Sequence, residues 1–388
     1  VAVPTTAYPG KIIGFALLAL VFVVGFYRPQ PHNGLTTTEA EALWVVRDDV
    51  DWEITPRGVL RGMRADATQL LERIRQQPQP PLYFALLDGW TLLVGESVYA
   101  VRWLSMLLSL GAVAVMVAAW RRVDWLIVAL IGFGLSIYAA QTIYTTSLVL
   151  MLAAICTWLL LRQRVLLYAI ALAALLYTHH IAAPFVALQF LLVMREPRIW
   201  RQWGLTVIAA GVIFAPWLLL FQSRDLDPLL TVDGWTQSAI ALSVAAVPVL
   251  IGSYTITRKN VRLVVALSGA VIVLAGAFIS VRAINNRPDW PRFITTVNIA
   301  REDLDATLYA IPPRHPLWHY DGLADTRWRY GIMIDLGWRD QTPAMLADVQ
   351  ARLGDQTVWL LARQDFNLLP AENVTVTTAE LQLSRQTP

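Results

Sequence analysis

Arginine falls at every second gap between long apolar runs, and that pattern leaves this chain few folds. Runs of near-spanning length occupy residues 11–27, 98–120, 124–143, 145–161, 165–178, 180–194, 203–222, 236–254 and 262–281. A helix needs about 17–25 predominantly apolar residues to cross a bilayer. Between the runs sit Arg121 with Arg122, Arg162 with Arg164, Arg195 with Arg198 and Arg201, and Arg258 with Lys259 and Arg262. Basic residues stay on the cytoplasmic side, so all four clusters face inward. The junctions at 138–144, 177–183 and 222–235 then face outward, as does everything after Arg282.

Composition agrees. Charged residues make up 15% of the chain and hydrophobic ones 56%, whereas a soluble domain carries about 25% charged residues. The 16 Trp and 12 Tyr suit aromatic anchoring at the bilayer interface. A net charge of +3 implies no nucleic-acid partner. The lone Cys156 excludes an intrachain disulfide and a cysteine zinc site. Of the 31 basic residues, only Lys11 and Lys259 are lysine. Either genome base composition or a use of Arg in phosphate binding accounts for that bias.

Residues 81–95 decide the orientation of the N-terminus. The stretch is apolar but short, and Asp88 interrupts it. A spanning 81–95 puts the N-terminus outside; an interfacial or re-entrant one puts it inside. Lys11 before the first run and the acidic loop after it favour the second arrangement, with the C-terminal region outside. The first run lacks a small-residue cleavage site before residues 29–33 and reads as a retained anchor.

Two regions lie outside the bilayer. The loop 28–80 is too long for a passive connection. Thr36, Thr37, Thr38 and Glu39 open a helix that runs to Val46, and a second, amphipathic helix covers about 66–76. Such helices suit a membrane surface. The tail, 283–388, has 23 charged residues in 106, a soluble composition. A helix is expected near 291–308, a strand near 315–320, a helix from Thr342 and Pro343 to Leu353, and a buried strand over 356–362. That alternation predicts a small α/β domain. The expected division is a membrane domain over 1–282, with its external helical loop, and an external α/β domain over 283–388.

Several stretches together resemble the GT-C membrane glycosyltransferases, and within them the branch of family 39 type holding bacterial protein O-mannosyltransferases and the lipid A aminoarabinose transferase. Pro80-Pro81-Leu82-Tyr83 follows the long loop. The run Leu93-Val94-Gly95-Glu96-Ser97-Val98-Tyr99-Ala100-Val101-Arg102-Trp103-Leu104-Ser105 is similar to the family's Phe-Gly-x-Ser-x-x-Ala-x-Arg-x-Pro-Ser. Tyr177-Thr178-His179-His180 looks like its Tyr-Thr-His-Tyr. Ala215-Pro216-Trp217 and Pro288-Asp289-Trp290 fit a later helix and the entry to the tail. Order and spacing, over nearly the whole chain, carry the resemblance. It implies a polytopic α-helical bundle of about nine spanning helices plus interfacial helices. It also implies transfer of a sugar from a polyprenyl-phosphate donor to a lipid or protein acceptor on the external face of a bacterial inner membrane.

Such chemistry needs a carboxylate base at the acceptor and cations or donors at the leaving phosphate. The family's Asp-Glu pair corresponds to Thr38-Glu39, so Thr38 stands where Asp is expected. Glu39, or Glu41, is then the candidate base, against a reading as helix-start charges on a solvated face. Arg57, Arg61 and Arg102 are the candidate phosphate ligands. Arg57, Arg61 and Arg64 equally suit pairing with nearby acids or anionic lipid, and Arg102 equally suits snorkelling at a helix start. Tyr83, Tyr144, His179 and His180 are candidate groove residues; the histidines alternatively bond within the bundle. On a helix, adjacent histidines diverge by about 100°, so they do not share a metal. No metal site is expected at His315 and His319, where Pro316 opposes a helix. A divalent cation is conceivable only at Asp48, Asp49, Asp51 and Glu53, which otherwise form a solvated turn.

The family also carries an acidic residue and an Arg ahead of the Tyr matched by Tyr144. Here the stretch reads Ala139-Ala140-Gln141-Thr142-Ile143-Tyr144, without either charge. The two departures open a second reading, a GT-C homologue without catalysis that serves as a scaffold among other membrane-protein subunits and lipid. A transporter is disfavoured by the scarcity of intramembrane ionisable residues.

Overall fold

The computed structural model of the chain describes residues 37–46, 79–95, 98–119, 138–193, 197–221, 232–253, 259–285, 306–310, 358–363, 374–377 and 381–386, with Leu70, Leu71, Ile74 and Leu135 besides. The chain forms two compact units, Val1–Pro31 with Ala67–Asn286 and His32–Asp66 with Arg287–Pro388. The loop expected at 28–80 is thereby divided between them.

The second unit holds helix α1 (Thr37–Val46) and a four-stranded sheet of β1 (Ala306–Ala310), β2 (Val358–Arg363), β3 (Val374–Thr377) and β4 (Leu381–Gln386). Strand order is β1-β2-β4-β3. β1 and β2 are parallel, with Leu308 opposite Leu360; β4 runs antiparallel to both β2 and β3. β2 matches the strand expected at 356–362. β1 corrects the helix expected to end at 308, because Ala306, Thr307 and Leu308 are strand. Its partner lies some fifty residues away in sequence, so no local periodicity reveals the pairing. The strand expected at 315–320 and the helix at 343–353 lie outside the described residues.

The first unit contains α2 (Leu82–Val94), α3 (Val98–Ala119), α4 (Thr146–Leu161), α5 (Val165–Leu176), α6 (Ala182–Val193), α7 (Pro197–Phe221), α8 (Val232–Ser253) and α9 (Lys259–Asn285). The last seven coincide with apolar runs that the sequence marks as spans. The run at 11–27 lies outside the described residues. Among those described, Trp235–Ser253 is by itself long and apolar enough to cross a membrane, and six shorter apolar stretches accompany it.

The bundle is apolar on the outside, and its interior mixes aliphatic, small and polar side chains. On α9, Leu263, Leu267, Val271, Leu274 and Phe278 are exposed along one stripe, while Gly269, Val273, Gly276 and Ser280 are buried on the other. Leu205, Ile208 and Val212 make the same exposed stripe on α7. Water would not tolerate such stripes over several helices; lipid does. In lipid, helices associate through close van der Waals packing and hydrogen bonds rather than the hydrophobic effect. Gly276 accordingly lies against Ser243 of α8 so closely that a Cβ there would overlap the serine. A buried chain of hydrogen bonds joins four helices. Trp203 Nε1 donates to Tyr168 Oη at 3.0 Å, Tyr168 Oη to Gln189 Oε1 at 2.6 Å, and Gln189 Nε2 to Thr157 Oγ1 at 3.3 Å.

α4 sits at the centre, packed on α3, α5 and α8. A tight turn at Arg162–Arg164, with Gln163 at φ 55°, folds α5 back antiparallel to it. α2, with 13 residues, measures about 20 Å at 1.5 Å per residue, well short of the ~30 Å hydrocarbon core. Gly95 ends it at φ 85°, its N–H donating to Thr91 O, a left-handed cap that suits glycine. The chain then reverses into α3, and Trp90 Nε1 donates to Ala100 O at 3.0 Å across the hairpin.

Candidate functional site

Several segments converge at the end of the bundle away from the Arg162–Arg164 turn. The N–H of Leu82 donates to Tyr177 O at 2.9 Å, and Tyr83 Oη lies 3.4 Å from Ser105 Oγ, tying α2 to the α5–α6 turn and to α3. Trp103 and Met106 of α3 pack on Ala140. Tyr138 bonds Gln237, and His180 Nε2 lies 2.9 Å from Ser238 Oγ, so the start of α8 closes the group.

Among the described residues the interior here is polar, and Arg102 is its buried charge. Every residue from Gln141 to Ser147 is buried. Arg102, Ser105 and Ser109 follow one stripe of α3, all buried, with Arg102 only 2% exposed. The snorkelling reading of Arg102 therefore fails, since a snorkelling guanidinium reaches headgroups and water.

His179 and His180 occupy the turn between α5 and α6, beyond the ends of both helices. The helical geometry assumed for them is thus corrected: their ring centroids lie 4.2 Å apart, tilted by 41°. His179 is fully buried, and its Nδ1 accepts the Ile181 N–H at 3.1 Å. Burial, with the neighbouring His180 second, holds its pKa well below the ordinary imidazole value. The ring is neutral at neutral pH, and its proton is on Nε2, a buried atom with no partner among the described residues. Among those residues no group of three His, Cys, Asp or Glu could hold a metal ion.

Beside this polar layer a cavity of about 480 Å³ opens between α5, α6 and α7. Leu172, Leu176, Val186, Val207, Phe214 and Trp217 line it, and His180 is the one ionisable residue among the described residues of its wall. Tyr177 props the wall: its hydroxyl donates to Ile213 O at 2.8 Å, and its ring meets Phe214 edge-on at 5.2 Å. The volume lies within the usual ligand-pocket range of roughly 300–1,000 Å³.

Of the four expected groove residues, His180 lines this cavity, while Tyr83, Tyr144 and His179 are buried in the polar layer. Glu39 is on α1 in the second unit and is fully buried, which overturns its reading as a solvated helix-start charge. Thr38 and Glu41 are on the same helix. Arg57, Arg61 and Arg64, and Asp48, Asp49, Asp51 and Glu53, lie outside the described residues. Sequence reasoning passed over Ser105, Ser109, Thr145, Thr146, Ser147 and Ser238. The available signal was the hydroxyl triplet 145–147 at the outward start of an apolar run.

No family model matches the chain, and no curated protein matches it. Among solved structures it is similar to ArnT from Cupriavidus metallidurans in the apo state, at a TM-score of 0.50 and 14% identity, over 98% of each chain. ArnT from the same organism bound to undecaprenyl phosphate aligns at a TM-score of 0.49, with 14% identity and the same coverage. The first likeness shows a shared fold.

Proposed function

We propose that this chain is a membrane glycosyltransferase of GT-C type that moves a sugar from a polyprenyl-phosphate donor to a lipid or protein acceptor. The observation that carries this reading is the apolar cavity with one histidine among its described lining residues, set beside a buried polar layer in a fold shared with ArnT. An isoprenoid chain suits such a wall, since each buried CH₂ contributes about 0.8 kcal/mol. The acceptor hydroxyl attacks the anomeric carbon, the bond from that carbon to the phosphate oxygen breaks, and polyprenyl phosphate leaves. Glu39 is the proposed base for the hydroxyl proton, with Glu41 its substitute in a shifted register. Arg102, with Arg57 and Arg61, is proposed to hold the phosphate. The proposed setting is a bacterial inner membrane, with the N-terminus inside and the tail outside. A divalent cation at the acidic cluster 48–53 belongs to this reading only as an addition.

The test is transfer from a labelled polyprenyl-phosphate sugar in proteoliposomes. Wild-type transfer with a loss of about 10²- to 10⁴-fold in Glu39→Gln supports it. A second reading, a scaffold subunit without catalysis, draws on Thr38 and the uncharged stretch 139–144. It is favoured if transfer is absent and the chain leaves its own membrane at fixed stoichiometry with unrelated subunits.

A further inference from the structure

Buried hydroxyls on these helices satisfy themselves almost everywhere. Thr142, Thr157, Thr178, Thr206, Ser243 and Ser280 each donate to the carbonyl four residues earlier. Ser109 of α3 does not, and neither do Thr145, Thr146 and Ser147 at the start of α4. The last three are fully buried, and none of their hydroxyls has a partner among the described residues. They sit where α4 begins, a helix of 16 residues, and for Thr146 and Ser147 the residues four earlier, Thr142 and Ile143, lie in a bend rather than a helix. The same turn leaves backbone N–H groups without intrahelical acceptors. Thr145 makes no side-chain cap, and the first turn carries no acidic residue.

A helix start of this kind is the positive end of the helix dipole, and oriented N–H groups there suit a phosphate. A buried cation lies at the same end. A Cβ at Gly111 of α3 would lie 3.6 Å from Met151 Sδ of α4, and both helices start at this end of the bundle. Moving the same number of residues toward each start brings Ser105 level with Thr145, and Arg102 lies about one turn of α3 further on. The α4–α5 hairpin brings the turn bearing His179 to this end too, with its buried, unpartnered Nε2–H donor.

We propose that the start of α4, with Thr145, Thr146, Ser147 and Arg102, is an anion site that takes a phosphate group. It does so chiefly with hydroxyl and N–H donors rather than paired charges. Identifying the anion as the carrier phosphate rests on the function proposed above; the site itself does not. The same chemistry would accept free phosphate.

The experiment uses the full chain in nanodiscs and the double variant Thr146→Val with Ser147→Ala. Removing buried, unpartnered hydroxyls leaves the fold intact or firmer, so loss of binding is not loss of folding. Three probes are titrated: inorganic phosphate, a polyprenyl phosphate, and the corresponding neutral polyprenol. Wild type should bind polyprenyl phosphate at least tenfold tighter than polyprenol, and the double variant should lose that margin while holding polyprenol unchanged. If wild type instead binds inorganic phosphate in a hydroxyl-dependent way and ignores both lipids, the site stands and the carrier reading falls. If polyprenyl phosphate binds the variant as tightly as wild type, the carrier reading stands and the α4 site is overturned. No response of wild type to either phosphate also overturns it.

Discussion

The rings of His179 and His180 lie 4.2 Å apart, yet one belongs to the protein interior and the other to a cavity wall. His179 accepts a backbone N–H and is fully buried, whereas His180 meets Ser238 and faces apolar space. Their adjacency in a turn lets one dipeptide join the polar layer to the cavity.

That arrangement makes stability depend on pH through His179. Its folded pKa lies below the unfolded value near 6.5, so the unfolded chain binds protons first as pH falls. The stabilisation is fully present above 6.5 and is lost progressively toward the lower folded pKa. The slope in that window reaches at most about 1.4 kcal/mol per pH unit. Unfolding midpoints of wild type and His179→Gln in detergent, from pH 8 to 5, should diverge below 6.5, wild type falling faster. Parallel curves would rule the mechanism out.

Among the described glycines, Gly276 makes the closest approach to a neighbouring helix. Gly276→Ala places a methyl group into Ser243 Cβ and Oγ, atoms too close to the backbone to swing away. A cost of about 1–3 kcal/mol is expected from such overpacking. Ser243→Gly in the same chain should recover part of it. Thermal unfolding of the two single variants and the double variant checks the coupling, and simple additivity would refute a direct contact.

Tyr168 connects Trp203 and Gln189, so Tyr168→Phe leaves both groups unsatisfied within the bundle. The expected loss is about 1–2 kcal/mol, tempered because partners are also found in the unfolded membrane state. A double-mutant cycle with Gln189→Leu should show coupling above about 0.5 kcal/mol. None would mean that the network adds order without stability.

Gly211 lines the cavity, and a Cβ there meets nothing within 4 Å. Gly211→Leu should therefore fold normally, since the new side chain enters open space and glycine is a poor helix former. It should also weaken polyprenyl lipid binding about tenfold or more by filling the chain's place. Unchanged lipid affinity in a folded variant would show that the carrier binds elsewhere.

Sequence alone determined the membrane architecture, because the requirement that sets it is local. Each spanning helix satisfies its own backbone hydrogen bonds, so the apolar runs and the arginine clusters between them are visible residue by residue. The run 145–161 became α4 almost to the residue, 236–254 became α8, which begins four residues earlier, and Thr37–Val46 was legible from its cap and first turn. Pairing over distance was not. β1 is strand because β2 lies beside it, and a helix was the reasonable reading of its flank. The tertiary structure alone decided that Arg102 and Glu39 are buried and that His179 and His180 share a turn. It also decided that the hydroxyls of Thr145, Thr146 and Ser147 find no partner among the described residues. Burial depends on which helices pack against a side chain, and no spacing within one helix states its neighbours.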